Sequence, residues 1–171
     1  LQFMADTVDT FQYFLKNNIK TEKFNPETVV IKIIQILQDN LKNHHIKIET
    51  NLLNSIIITG NTSDFSNALL SILVNSRDAL VQRKTPSPTI TISLDNTESY
   101  CLVTISDNAG GISQKPINTI FNLGVSSKKN RDSGIGLYVT KKIIIEKLHG
   151  KISVSNTEQG SEFKLLIPKA N

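Results

Sequence analysis

Apolar residues recur at helical spacing in four stretches of the chain. They predict helices within residues 1–18, from Asn25-Pro26 to the His44-His45 pair, from a Thr62 cap to about Arg83, and from Gly134 through Leu148. Shorter stretches with a period of two predict strands near residues 46–49, 55–59, 89–94, 100–107, 151–156 and 162–167. Because these elements alternate too irregularly for a doubly wound parallel sheet, the pattern indicates another α/β arrangement.

One predicted strand ends in a carboxylate that interrupts its apolar row. Val103, Ile105 and Asp107 share one face, since the side chains of a strand alternate between its two faces. A buried carboxylate without a partner is costly, and an exocyclic amino group of a nucleobase would supply that partner. Gly110 and Gly111 follow, and they would let the backbone approach a flat ligand. The alternative is that the Asn-Ala-Gly-Gly sequence forms only a turn.

An edge rich in oxygen atoms lies along the third predicted helix. Asn75 falls three residues after Ile72 and four before Ala79, which places it on or beside the buried face. Ser71 and Asp78 share this edge. Such an edge could hold a hydrated Mg²⁺ that bridges phosphates, because this ion prefers oxygen ligands. The alternative is a core asparagine whose hydrogen bonds are satisfied internally.

A long polar segment separates Asp107 from the last predicted helix. Residues 112–133 contain only a brief apolar cluster, and a connection of this length is usually a functional lid or disordered. The segment ends at Gly134-Ile135-Gly136-Leu137. Glycines at the start of a helix expose backbone N–H groups and the positive end of the helix dipole, which together suit a phosphate.

Composition excludes several classes of protein. The 171 residues carry a net charge of +4, but the lysines are scattered and aromatic residues make up only 6%, so no nucleic-acid partner is predicted. A single cysteine excludes a disulfide framework, and no Cys or His spacing resembles a zinc site. No apolar run approaches the ~20 residues that cross a bilayer. We therefore expect a cytoplasmic domain, whose parent protein could still be membrane-anchored.

Four boxes in order resemble the nucleotide-binding superfamily of gyrase, Hsp90, histidine kinases and MutL. Within it, residues 25–168 are most similar to the catalytic domain of bacterial sensor histidine kinases. LVNSRDAL (73–80) resembles the N box, DNAGGI (107–112) the first glycine box, IFNLGVSSK (120–128) the F box and GIGLYVTKK (134–142) the second glycine box. GSEF (160–163) resembles the last glycine motif. The resemblance implies a two-layer α/β sandwich with a mixed, mostly antiparallel sheet, helices on one face, and an additional N-terminal helix.

The resemblance also implies roles for individual residues. Asn75 would ligate Mg²⁺, Asp107 would accept a hydrogen bond from the adenine amino group of ATP, and Gly134 and Gly136 would cradle the phosphates. Further nucleotide contacts are implied at Asp78, Gly110, Gly111, Ile112, Ser126, Ser127, Lys128, Ile135 and Leu137. No general base or other catalytic side chain is assigned.

The implied domain organisation has two parts. Residues 25–171 would be the ATP-binding catalytic domain, and residues 1–20 would be the second helix of a dimerisation and phosphotransfer hairpin. The first helix of that hairpin, outside this chain, would carry the phosphorylated histidine. The full-length protein would then be a homodimer that passes the γ-phosphoryl group to this histidine and on to a response regulator. Alternatively, the N-terminal helix packs back on the domain.

Two alternative functions remain open within the same superfamily. Switches and hydrolases of the gyrase, MutL or Hsp90 type resemble one another in having a water-activating glutamate at the position of Ser71, and this chain lacks it. Ser71 also replaces the first N-box asparagine of many histidine kinases, as Ala109 replaces a glycine of the commonest first glycine box. The other alternative is a regulatory binding module without catalysis, against which the retained Asn75 and Asp107 argue.

Overall fold

The structure is a computed structural model that describes residues 20–53, 55–125 and 134–171. The helix expected within residues 1–18 lies outside the described residues. The elements in order are β1 (Glu22–Phe24), α1 (Pro26–Asn43), β2 (Lys47–Leu52), β3 (Ile58–Gly60), α2 (Thr62–Gln82), β4 (Thr89–Asn96), β5 (Tyr100–Asp107), a 3₁₀ helix (Ile117–Phe121), α3 (Gly136–Lys142), a π-helical turn (Ile143–Lys147), β6 (Lys151–Asn156) and β7 (Ser161–Pro168).

The main sheet has five strands in the order β2-β4-β5-β7-β6. Strand β2 runs parallel to β4, and the other three pairs are antiparallel, so the sheet is mixed and mostly antiparallel as predicted. Strand β3 instead pairs with the short β1 in a separate two-stranded sheet. The two strands predicted on either side of the asparagine-rich turn therefore lie in different sheets. Strand β1 was not predicted, because three residues are too few to show a period.

One face of the main sheet forms the core. Alternate residues of the three central strands are buried: Ile90, Ile92, Leu94, Cys101, Val103, Ile105, Phe163, Leu165 and Ile167. Helices α1 and α2 pack against this face, and α3 packs against α2 in the same layer, which confirms the predicted two-layer arrangement. Burial raises the pKa of the Cys101 thiol to about 11, so this side chain stays neutral at physiological pH.

The helix ends refine the sequence-based boundaries. Asn25 caps α1 by accepting from the Glu27 N–H at 2.8 Å, as predicted for an Asn-Pro start. The cap of α2 is Asn61, not the predicted Thr62, because the Asn61 side chain accepts from the Ser63 and Asp64 N–H groups. The predicted single helix over 134–148 begins as α-helix at Gly136. It ends in a π-helical turn closed by the Leu148 N–H on the Ile143 carbonyl.

Candidate functional site

A cleft opens between α2, the carboxyl end of β5 and the start of α3. Its floor and walls combine polar groups with an apolar side formed by aliphatic residues and one phenylalanine. The lining residues are Asn75, Ser76, Ala79, Gln82, Arg83, Asp107, Ala109, Gly111, Ile112, Ser113, Gln114, Ile120, Val125, Gly134, Leu137, Ser161 and Phe163. A concave site with convergent polar groups on an apolar background is typical of small-molecule binding.

Asp107 is the buried carboxylate of this cleft, with 8% of its surface exposed. Its Oδ2 accepts from the Ser161 hydroxyl at 2.7 Å and from the Ser76 hydroxyl at 3.2 Å. Its Oδ1 accepts from the Ala109 N–H at 2.9 Å, and the Ser161 N–H approaches at 3.4 Å. The hydrogen-bond partners that a buried carboxylate needs are thus supplied by the protein itself. These donors fix the position and orientation of the carboxylate at the wall of the cleft.

Ser76 and Ser161 were not singled out from the sequence as site residues. Both lie inside quoted motifs, the N box and the last glycine motif, but their separation of 85 positions hides their convergence on one carboxylate. Each hydroxyl donates its proton to Asp107 and keeps lone pairs that can accept a hydrogen bond from a ligand. The base of the cleft therefore offers several acceptors side by side.

Asn75 lies on the same wall, where its amide is oriented by its own helix. Its Nδ2 donates to the Ser71 carbonyl at 2.8 Å, one turn earlier. Its Oδ1 makes no hydrogen bond with any of the described residues. An amide oxygen of this kind is a suitable Mg²⁺ ligand, since the ion prefers oxygen and retains waters for the remaining positions. The donor set therefore fits the predicted metal.

Asp78 is placed differently from the other predicted residues. Its carboxylate accepts from Arg77 at 2.6 and 2.8 Å, and Arg77 also donates to Asn40 of α1 at 3.0 Å. Both charged side chains are less than one-fifth exposed. Asp78 is not among the residues that line the cleft, and its ion pair with Arg77 connects it to α1. Its contact with a nucleotide therefore stays a prediction.

The first glycine box forms the tight turn that rims the cleft after β5. Gly110 and Gly111 both have a φ of 84°, a backbone conformation that side chains with a Cβ rarely adopt. Of the predicted residues, the structure brings together on the cleft wall Asn75, Asp107, Gly111, Ile112, Gly134 and Leu137. Gly110, Ile135 and Gly136 adjoin these in sequence without lining the cleft. Ser126, Ser127 and Lys128 lie outside the described residues.

Within the ranges that the structure describes, no group of three or more His, Cys, Asp or Glu side chains could hold a metal ion. No described helix is long and apolar enough to cross a membrane.

A family model described as histidine kinase-, DNA gyrase B- and HSP90-like ATPase matches residues 60–171, which contain all the cleft residues. The chain belongs to this family. The resemblance seen in the four boxes is therefore confirmed. The description of the family as ATPases also supports ATP as the nucleotide.

The chain is similar to several proteins that are kinases by name. Sporulation kinase A of Bacillus subtilis is 28% identical over 156 residues, 90% of this chain and 25% of that protein. The catalytic domain of histidine kinase ThkA has a TM-score of 0.77 at 18% identity, covering 89% of this chain and 99% of that one. ThkA in complex with the response regulator TrrA gives a TM-score of 0.76 at 17% identity, over 99% of this chain and 49% of that one.

These likenesses differ in what they establish. At 17–18% identity the solved structures show the fold alone, and they confirm it. This chain spans less than half the length of the first curated relatives that it matches.

Proposed function

We propose that this chain binds Mg²⁺·ATP in the cleft beside Asp107 and, within a longer protein, donates the γ-phosphoryl group to a histidine outside this chain. One observation carries the proposal. The buried Asp107 carboxylate and the Asn75 amide oxygen, which has no hydrogen bond with the described residues, line a single cleft. A carboxylate suits the amino group of adenine, and an amide oxygen suits a metal that is bound to phosphates.

The residues of this chain would bind and orient the nucleotide. Asp107, supported by Ser76 and Ser161, would accept from the adenine amino group, and Asn75 would hold Mg²⁺ through Oδ1. When bound, ATP would supply the phosphoryl group, and Mg²⁺ would offset the negative charge of the phosphates. The remaining proposed contacts follow the boxes: Gly110, Gly111 and Ile112 near the base, and Ser126, Ser127, Lys128, Gly134, Ile135, Gly136 and Leu137 near the phosphates.

The described part of the cleft favours phosphotransfer over hydrolysis. Its lining contains one carboxylate, Asp107, which is occupied by serine and backbone donors. Ser71 stands where a water-activating glutamate would be expected in the hydrolysing relatives, and a serine is a poor base. An imidazole acceptor carries its own lone pair and needs no strong base. Catalysis would therefore rest on positioning and charge neutralisation.

The histidines of this chain are poorly placed to accept the phosphoryl group. His44 and His45 follow the C-terminal end of α1, whereas the cleft is lined by α2, β5 and α3. His149 follows the π-helical turn and lies about 20 Å along the helix axis from Gly136, at 1.5 Å per residue. We therefore assign the acceptor to a dimerisation domain elsewhere in the full-length protein. That protein would be a homodimer that signals to a response regulator, with this domain in the cytoplasm.

Labelled ATP tests this proposal. The full-length protein should acquire an acid-labile, alkali-stable label from [γ-³²P]ATP, because a phosphohistidine is a phosphoramidate. This chain alone should remain unlabelled, and a separately produced histidine-bearing dimerisation domain from the same protein should become labelled in its presence. Label on His44, His45 or His149, or steady release of inorganic phosphate without transfer, would contradict the proposal, and phosphate release would favour the hydrolase.

A further inference from the structure

The glycine turn that rims the cleft is held by side chains from two other elements. Arg83 donates through Nη1 to the carbonyls of Ala109 and, at 2.6 Å, Gly111. Asn156 accepts from the Ile112 N–H at 2.7 Å and donates to the Ile112 carbonyl at 2.9 Å. The guanidinium and the amide therefore bind successive backbone groups of the same turn.

The two side chains belong to distant parts of the fold. Arg83 is the C-cap residue of α2, and Asn156 is the last residue of β6. The Gly110 N–H also donates to the Gln159 carbonyl, in the connection between β6 and β7, at 2.8 Å. The turn lies outside the hydrogen-bond ladder of the sheet. Most of the hydrogen bonds that fix it therefore come from the Arg83 and Asn156 side chains. Without them, two adjacent glycines would be among the most mobile positions of the cleft.

We propose that Arg83 is a positioning residue for nucleotide binding and that Asn156 has the same role at Ile112, the end of the turn. The proposal rests on the proposed function, since it assigns the turn to the purine end of an ATP site. Arg83 fixes the turn relative to α2, the helix that carries Asn75 and Ser76. This spacing sets the width of the cleft that the purine must enter.

The position of Arg83 along its helix argues against a phosphate contact. Arg83 lines the cleft, but it lies eight residues after Asn75, about 12 Å along the helix axis from the end of the cleft where the metal is assigned. Its guanidinium already donates to two carbonyls, and hydrogen bonds from a charged donor are stronger than neutral ones. Arg83 thus acts through the shape of the turn.

Calorimetry with adenosine and with Mg²⁺·ADP tests this role. Arg83→Ala should weaken both ligands by about tenfold, and by similar factors, because the purine end is common to both. Arg83→Lys, which keeps a charged donor, should recover part of the loss. Lys84→Ala removes the same charge from an exposed neighbour that does not line the cleft, and it should bind both ligands normally.

A second variant and an exchange measurement complete the test. Asn156→Ala should also weaken both ligands, and Asn156→Asp should not restore affinity, because a carboxylate cannot donate to the Ile112 carbonyl. In the ligand-free Arg83→Ala protein, amide exchange should accelerate at Gly110 and Ile112 but not within β5. If Arg83→Ala does not fold, the Asn156 pair decides.

The possible failures are distinguishable. A wild-type chain that binds neither ligand would overturn the proposed function and this inference together. A wild-type chain that binds, with Arg83→Ala or Asn156→Ala binding equally well, would overturn the positioning role alone. A loss confined to Mg²⁺·ADP would identify Arg83 as a phosphate contact and would also overturn it.

Discussion

Asp107 combines burial with hydrogen-bond donors from three parts of the chain. The period of its strand was enough to predict that it points inward beside Val103 and Ile105. Its protein partners could not be predicted, because Ser76 lies 31 positions before it and Ser161 lies 54 positions after it. Sequence patterns encode the direction of a side chain, but the partners that it meets depend on tertiary packing.

Replacing this carboxylate should impair nucleotide binding. Asp107→Asn keeps the size but places an amide where the adenine amino group needs an acceptor, at a cost on the order of 1–3 kcal/mol. Calorimetry with ADP should therefore show affinity at least about tenfold weaker. Asp95→Asn neutralises an exposed carboxylate of β4 and serves as the control. Equal affinity of Asp107→Asn and wild type would remove Asp107 from the site.

Removing the proposed metal ligand should affect ligands selectively. Asn75→Ala deletes the amide oxygen on the cleft wall. It also removes the hydrogen bond from the Asn75 amide to the Ser71 carbonyl, which belongs to the backbone of the same helix. Affinity for Mg²⁺·ATP should fall at least about tenfold, while affinity for metal-free adenosine should change little. Equal losses for the two ligands would identify Asn75 as a structural residue instead.

At the scale of elements, the connection between β6 and β7 acts as a support for the end of β5. A Cβ at Gly160 would lie 1.8 Å from the Asp107 carbonyl oxygen, so the backbones touch and only glycine fits. The last glycine motif was quoted from the sequence as part of the resemblance. Its physical reason, a close approach of two backbones, became apparent only in the folded chain. The cap of α2 was likewise predicted one residue too late, because several consecutive polar residues could each cap a helix.

Crowding this contact should disturb both folding and binding. Gly160→Ala should lower the free energy of unfolding by about 1–3 kcal/mol, because the backbone must shift to admit a methyl group. It should also weaken ADP, since the shift moves Asp107. Urea denaturation and calorimetry measure the two effects, with the exposed Glu158→Ala in the same connection as control. Wild-type stability and affinity together would show that this contact does not position the site.

The segment after the first glycine box remains a predicted lid. Residues 112–125 include lining residues from Ile112 to Val125 and one 3₁₀ helix, and residues 126–133 lie outside the described ranges. Hydrogen exchange across residues 112–125 should slow on addition of a non-hydrolysable Mg²⁺·ATP analogue. Exchange in the edge strand β2, remote from the cleft, should stay constant. Protection over 112–125 that is independent of nucleotide would indicate an ordinary ordered loop.

At the scale of the molecule, the two-layer fold brings residues of four separated boxes together around one cleft. Periodicity predicted most helices and strands, and the order of the boxes predicted the fold class. The parallel pairing of β2 with β4 and the separate β1–β3 sheet were not predictable, since pairing depends on contacts between distant residues. The hydrogen bonds from Arg83 and Asn156 to the glycine turn were also not predicted, because neither residue belongs to a recognisable motif.

A crystal structure with Mg²⁺ and a non-hydrolysable ATP analogue is the most direct test of the proposed site. We expect the adenine amino group within hydrogen-bond distance of the Asp107 carboxylate, the metal on the Asn75 amide oxygen, and the phosphates directed towards Gly134 and Gly136. A nucleotide bound elsewhere, or bound in this cleft with its base away from Asp107 and its metal away from Asn75, would contradict the assignment.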